Sequence, residues 1–148
     1  MASIIVEIPG RPVPLERHRM NRGRAYLPKR SADWRRGAQL IMKAAMRGRK
    51  PLEGPLMLMV TAAWKNPKSG PNKNANLHTV TPDASNILKA VEDAGNGILW
   101  KDDCQIWAVE MSKIYPDPPQ KELVKLTVIQ TDGDGYPLRE GNTEKRMV

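Results

Sequence analysis

The stretch HTVTPDASNILKAVEDAGNGILWKDDCQ, residues 78–105, runs a helix, a turn and the start of a strand together. Pro82 at the start, helix formers such as Leu88, Lys89, Ala90 and Glu92 in the middle, and Gly95 and Gly97 at the end predict a helix over residues 82–95. Asp83 falls at the N-terminus of that helix. Asp102 and Asp103 fall at the start of the next strand. Packing the helix against a sheet is expected to bring these two acidic stations together.

Downstream, residues 105–115 and 123–130 read as strands, the second through a clean alternation of Val124, Leu126 and Val128 with Lys125 and Thr127. Upstream, residues 55–64 are nearly all apolar and bounded by Pro55, which suits a buried strand in the centre of a sheet. Ser31 is a good helix N-cap, and Trp34, Ala38, Ile41, Met42 and Ala45 recur at helical spacing before Gly48 ends the run. Residues 3–8 form a short strand that stops at Pro9 and Gly10. Residues 11–30 set Pro12, Pro14, Gly23 and Pro28 among seven Arg or Lys side chains, a mix that predicts a basic loop or open hairpin. Residues 66–76 offer no apolar face and predict a mobile basic loop that orders on a ligand. Together these give a single compact α+β domain over residues 1–131, a mixed β-sheet with two main helices. A polar, flexible tail is expected over residues 132–148.

The chain has 148 residues, enough for one core, and with no Phe its large apolar side chains are four Trp, eight Met and the branched aliphatics. Lys and Arg number 24 against 16 Asp and Glu, a net charge of +8, and the excess is uneven. Through Lys50, thirteen basic residues face three acidic ones; from Thr81 onward, eight face twelve. A basic front half attracts a polyanion, whereas an acidic back half repels one unless its carboxylates hold cations. The single Cys104 excludes an internal disulfide and a multi-cysteine zinc site, and is expected to be a small buried hydrophobe without a catalytic role. No leader pattern is seen, and no apolar run approaches the roughly 20 residues of a membrane helix. The expected compartment is the cytoplasm, with no membrane partner and no organic cofactor.

The acids fit a hard cation. Mg²⁺ takes oxygen ligands, keeps several waters and needs only one or two protein carboxylates besides substrate phosphate, so Asp83 and Asp103 suffice in principle. Hydrolysis of a phosphodiester is the matching reaction. On the helix, Asn86, Lys89 and Asp93 share a face, and a Lys89 ammonium there can stabilise charge on the transferring phosphate or orient the attacking water. Taken singly, Asp83 reads better as a helix cap, Asp93 as a partner of Lys89, and Asp102 with Asp103 as ordinary turn residues. The basic front half tips the balance toward a nuclease. Arg11, Arg17, Arg19, Arg22, Arg24, Lys29 and Arg30 of the entry segment, with Lys68 and Lys73 of the later loop, are the expected DNA contacts, positioning the backbone rather than reading bases. His78 is expected to be either a phosphate or metal-shell contact or an exposed loop residue. His18, between Arg17 and Arg19, belongs to the polyanion surface; Tyr26 is read either as a base-stacking residue or as packing.

The string PDASNILKAVEDAGNGILWKDDCQI, residues 82–106, resembles the signature of the RusA family of Holliday-junction resolvases, and IPGRPVPLERHRMNRGRAYLPKR, residues 8–30, is similar to the basic entry segment of its phage-type members. The resemblance covers residues 4–130. It implies a compact mixed α/β homodimer that binds Mg²⁺ or Mn²⁺ and nicks two opposed strands of a DNA junction, in a bacterial or phage-encoded, nucleoid-associated setting. Position by position, the family's metal-binding acids match Asp83 and Asp103, its neighbouring acid Asp102, its helix lysine Lys89 and its motif asparagine Asn86. One position departs. Ser85 stands where the family usually has a second Asp, and loss of that carboxylate weakens cation binding unless Asp93 or Asp102 compensates. A non-catalytic junction-binding protein is therefore the alternative.

Overall fold

The structure, a computed structural model, describes residues 3–116 and 121–139. Its elements are β1 (Ser3–Pro9), β2 (Arg19–Asn21), β3 (Arg24–Tyr26), α1 (Lys29–Met46), β4 (Leu56–Ala63), α2 (Ala84–Gly95), β5 (Ile106–Ile114) and β6 (Leu123–Gln130), with a 3₁₀ turn at Asp103–Gln105. One mixed sheet has the order β1-β6-β4-β5, and β2 with β3 makes a separate hairpin. The chain is thus one α+β domain with two helices.

The alternation in β6 organises the core. Val124, Leu126 and Val128 are buried, and each lies between one residue of β1 and one of β4: Ile8 and Ala62, Val6 and Val60, Ile4 and Leu58. Ala38, Met42 and Met46 of α1 and Ile87, Val91 and Ala94 of α2 join the same cluster, so both helices cover this face. Strand β4 is central, as its apolar run predicts, antiparallel to β6 and parallel to β5.

A parallel pair cannot be closed by a hairpin, so the chain must cross back between β4 and β5, and α2 is that crossover. It runs opposite to β5. Its start lies by the C-terminal end of β5, where Lys113 Nζ donates to the carbonyls of Val80 (2.7 Å) and Pro82 (2.6 Å). Its end lies by the opposite end of the sheet: Trp100 bridges to Leu52, ahead of β4, and the Leu52 N–H donates to the Leu99 carbonyl at 2.8 Å. The 12 residues of α2 at 1.5 Å each put about 18 Å between the segments that enter and leave the helix.

Some boundaries differ from expectation. Helix α1 begins at Lys29 with Pro28 in the N-cap position, because first-turn N–H groups have no helical partner and proline lacks one. Ser31 lies inside the helix, buried, with its hydroxyl donating to the Pro14 carbonyl (3.1 Å) and accepting from the Glu16 N–H (3.1 Å). Residues 66–76 fold on themselves, since Asn66 Nδ2 donates to the carbonyls of Asn72 (3.0 Å) and Ala75 (2.8 Å). The expected tail starts as an organised turn: the Leu138 N–H returns to the Gln130 carbonyl, and Asp132 Oδ1 accepts the N–H groups of Asp134 and Tyr136. Residues 140–148 of that tail lie outside the described residues. No described helix is long and apolar enough to cross a membrane.

Candidate active site

Asp83 takes the N-cap position of α2 with an extended backbone, yet its side chain makes no cap hydrogen bond. The helix-cap role for this residue therefore fails, and the exposed carboxylate is left for other chemistry. The clamp of Lys113 on Val80 and Pro82 fixes the approach to it. Along α2, Ser85 and Lys89 are exposed and Glu92 is half-buried, a row at spacings of four and three residues. Lys89 makes no ion pair among the described residues. Asn86 ties the first turn to the basic entry segment, its carbonyl accepting the Leu15 N–H at 3.0 Å.

The second acidic station is built differently. Asp102 caps the 3₁₀ turn: Oδ1 accepts the Cys104 N–H at 2.9 Å, while Gln105 Oε1 accepts the Asp102 N–H at 3.0 Å, a reciprocal capping box. Hydrogen bonds from the Cys104 N–H and thiol hold the Asp102 carboxyl below its ordinary range. The turn role of Asp102 thus holds for that oxygen. Cys104 is exposed, not buried as expected, because the capping turn points it outward. The hydrogen bond to Asp102 pushes its thiol up, away from a nucleophilic thiolate.

Asp103 is half-buried and faces Glu92, whose carboxyl is raised above its ordinary range by burial first, then by the charges of Asp103 and Asp93. Glu92 escaped the sequence reading. Its signal was its place three residues after Lys89 and seven after Ser85, on the exposed row of the helix.

The structure does not bring the two stations together. Asp83 precedes α2 and Asp103 comes after it, so the crossover helix holds them apart. No group of three or more His, Cys, Asp or Glu side chains suited to a metal gathers among the described residues. Asp93 pairs not with Lys89 but with Arg35 of α1, at 3.3 Å. His78 is not an exposed loop residue. It is buried, stacked on Trp64 at 3.9 Å and tilted against Tyr115 at 5.0 Å, with Nδ1 unpartnered. Burial, then the charge of Lys113, lowers its pKa, so both disfavour the charged ring.

The basic side chains of the entry segment lie on the surface. Arg22 (φ 49) and Gly23 (φ 76) make a two-residue turn between β2 and β3, the geometry that suits the twist of a tight hairpin. Alternation sets Arg19, Asn21, Arg24 and Tyr26 on one face, all exposed. Arg11 pairs with Glu122 at 3.8 Å and Lys29 with Asp33 at 3.4 Å. Arg17, Arg19, Arg22, Arg24, Arg30, Lys68 and Lys73 are exposed and unpaired among the described residues.

The family profile described as "Endodeoxyribonuclease RusA" matches residues 9–126. Among curated proteins, the "Uncharacterized protein YqaN" of Bacillus subtilis (strain 168) is 30% identical over 82 residues, covering 49% of this chain and 58% of that protein. The match therefore spans little more than half the length of that relative.

Proposed function

The chain belongs to the RusA family of endodeoxyribonucleases, and on that premise we propose that it resolves Holliday junctions and related branched DNA in recombination or repair. Paired nicks require two sites, which a homodimer supplies. The reaction is proposed to depend on Mg²⁺ or Mn²⁺ and to take place in the cytoplasm. The carrying observation is that Asp83 spends its carboxylate on no helix cap while Lys89, about 9 Å along the same helix by its rise, carries an unpaired ammonium. That helix is hydrogen-bonded directly to the basic entry segment through Leu15. A duplex arm held by Arg17, Arg19, Arg22 and Arg24 would thus lead its phosphates toward the first turn of α2. There Lys89 would stabilise the charge that develops on the phosphate as water displaces the leaving oxygen.

The test is cleavage of a four-way junction, with linear duplex and flap substrates alongside, in Mg²⁺ or Mn²⁺. Asp83→Asn and Asp103→Asn are expected to abolish cutting while junction binding persists, since neither removes positive charge. Equal loss of binding, or a parent chain that cuts none of the substrates, overturns the proposal. Ser85 favours a second reading, a junction-binding protein without cutting activity. Ser85→Asp separates the two: binding without cleavage in the parent, with cleavage gained by the variant, supports the second.

A further inference from the structure

Asp83 stands at the end of a segment that the core does not hold. From Thr79 to Asn86 no residue is buried; His78 before this stretch and Ile87 after it are the nearest buried residues. With so little apolar burial, the course of residues 79–82 depends on hydrogen bonds. Among the described residues, all the hydrogen bonds that reach residues 79–82 come from Lys113, whose Nζ donates to the carbonyls of Val80 at 2.7 Å and Pro82 at 2.6 Å. The Lys113 carbonyl also accepts the His78 N–H at 3.1 Å. One residue of β5 thus grips every second residue from His78 to Pro82.

The bond to Pro82 reaches furthest. That carbonyl belongs to the peptide unit that ends at Asp83, and a peptide unit is planar and stiff, so fixing its oxygen also fixes the nitrogen and Cα of Asp83. Asp83 adds no restraint of its own, since its side chain makes no cap hydrogen bond. A charged donor makes the stronger kind of hydrogen bond, and two carbonyls occupy two of the three donors of the ammonium. We infer that Lys113 is a positioning residue for junction cleavage: from β5 it orients the Asp83 carboxylate at the first turn of α2, without itself contacting the DNA. The inference rests on the nuclease reading above. The Val80 carbonyl is bonded at an exposed place and the Pro82 carbonyl at a half-buried one, so water can take up both when the ammonium is removed. The fold then survives, while the peptide unit ahead of Asp83 loses its fixed orientation.

Lys113→Met removes the donors and keeps an unbranched stem. At saturating four-way junction its turnover is expected to fall by about 10–100-fold, the scale that a misplaced reacting group costs. Its dissociation constant for the junction, the salt dependence of that constant and its melting temperature should stay close to those of the parent. Lys113→Arg keeps the charge and can still donate to two carbonyls, so it should recover most of the lost turnover. A spectroscopic reading needs no cleavage: the backbone amide heteronuclear NOE of Thr81 and Asp83 should drop in Lys113→Met, while that of Leu126 in β6 does not. Unchanged turnover, or an unchanged NOE at Asp83, overturns the inference. A salt slope lowered by about 0.9 in Lys113→Met makes Lys113 a phosphate contact instead, and overturns it too. Turnover and melting temperature lost together, with no recovery in Lys113→Arg, reduce Lys113 to a support of the fold. A parent chain that cuts no substrate defeats the nuclease reading and the inference with it, whereas a parent chain that cuts, beside an equally active Lys113→Met, defeats the inference alone.

Discussion

The indole of Trp100 fills the place where a side chain at Gly95 would begin: a Cβ built on Gly95 would lie 2.7 and 2.9 Å from two of its ring atoms. The ring is fully buried and its Nε1 donates to Asn96 Oδ1 at 2.8 Å, so it has no room to withdraw. This contact ends α2 and sets where the Asp102–Asp103 turn emerges. Gly95→Ala is expected to cost about 1–3 kcal/mol, the usual range for overpacking a filled site. A urea midpoint equal to that of the parent would refute it.

His78 predicts an acid limb of stability. Its pKa is lowered in the folded state, so below the ordinary histidine value the unfolded chain binds the proton more readily, and stability falls as pH drops through that region. His78→Phe preserves an aromatic ring between Trp64 and Tyr115 but cannot titrate. Melting temperatures measured from pH 7.5 down to pH 5 should fall less for the variant than for the parent; parallel curves would exclude His78 as the cause.

Glu92 acts in the opposite sense. Its raised pKa means that stability is fully present below the unfolded carboxyl value and declines as pH rises through the folded one. Without divalent cation, Glu92→Gln should therefore melt higher than the parent at pH 7.5, and no differently from it at pH 4. A lower melting point at pH 7.5 would show that Glu92 is stabilised by a contact the charge repulsion does not outweigh.

The β2–β3 hairpin predicts two separable effects on DNA binding. Removing Arg19 or Arg24 should lower the slope of log K against log salt by about 0.9 for each duplex phosphate that the side chain no longer neutralises. Tyr26→Ala carries no charge change and should leave that slope alone, while weakening junction binding if its exposed ring stacks on an unpaired base. A slope unchanged in Arg19→Ala/Arg24→Ala would remove the hairpin from the phosphate-binding surface.

The elements that carry strong local patterns were legible in the sequence. Val124, Leu126 and Val128 announce their buried face because alternation is a property of the strand itself, and the apolar run of β4 marks its central place. Ser31 misled because a good capping side chain can serve equally as a tether, and the Pro14 carbonyl lies 3.1 Å from its hydroxyl. His78 misled because the Trp64 ring that buries it lies just beyond β4, outside any local window.

By itself the sequence determined the basic entry segment, the helix that opens at Asp83, and the family signature, since charge, helix signals and motif spacing are written residue by residue. Only the tertiary structure decided which acids meet. The parallel pairing of β4 with β5 forces α2 to run back along β5, and that direction separates Asp83 from Asp103 and sets Glu92 beside Asp103 instead. Strand direction is a relation between distant segments, and so no local reading of residues 78–105 contained it.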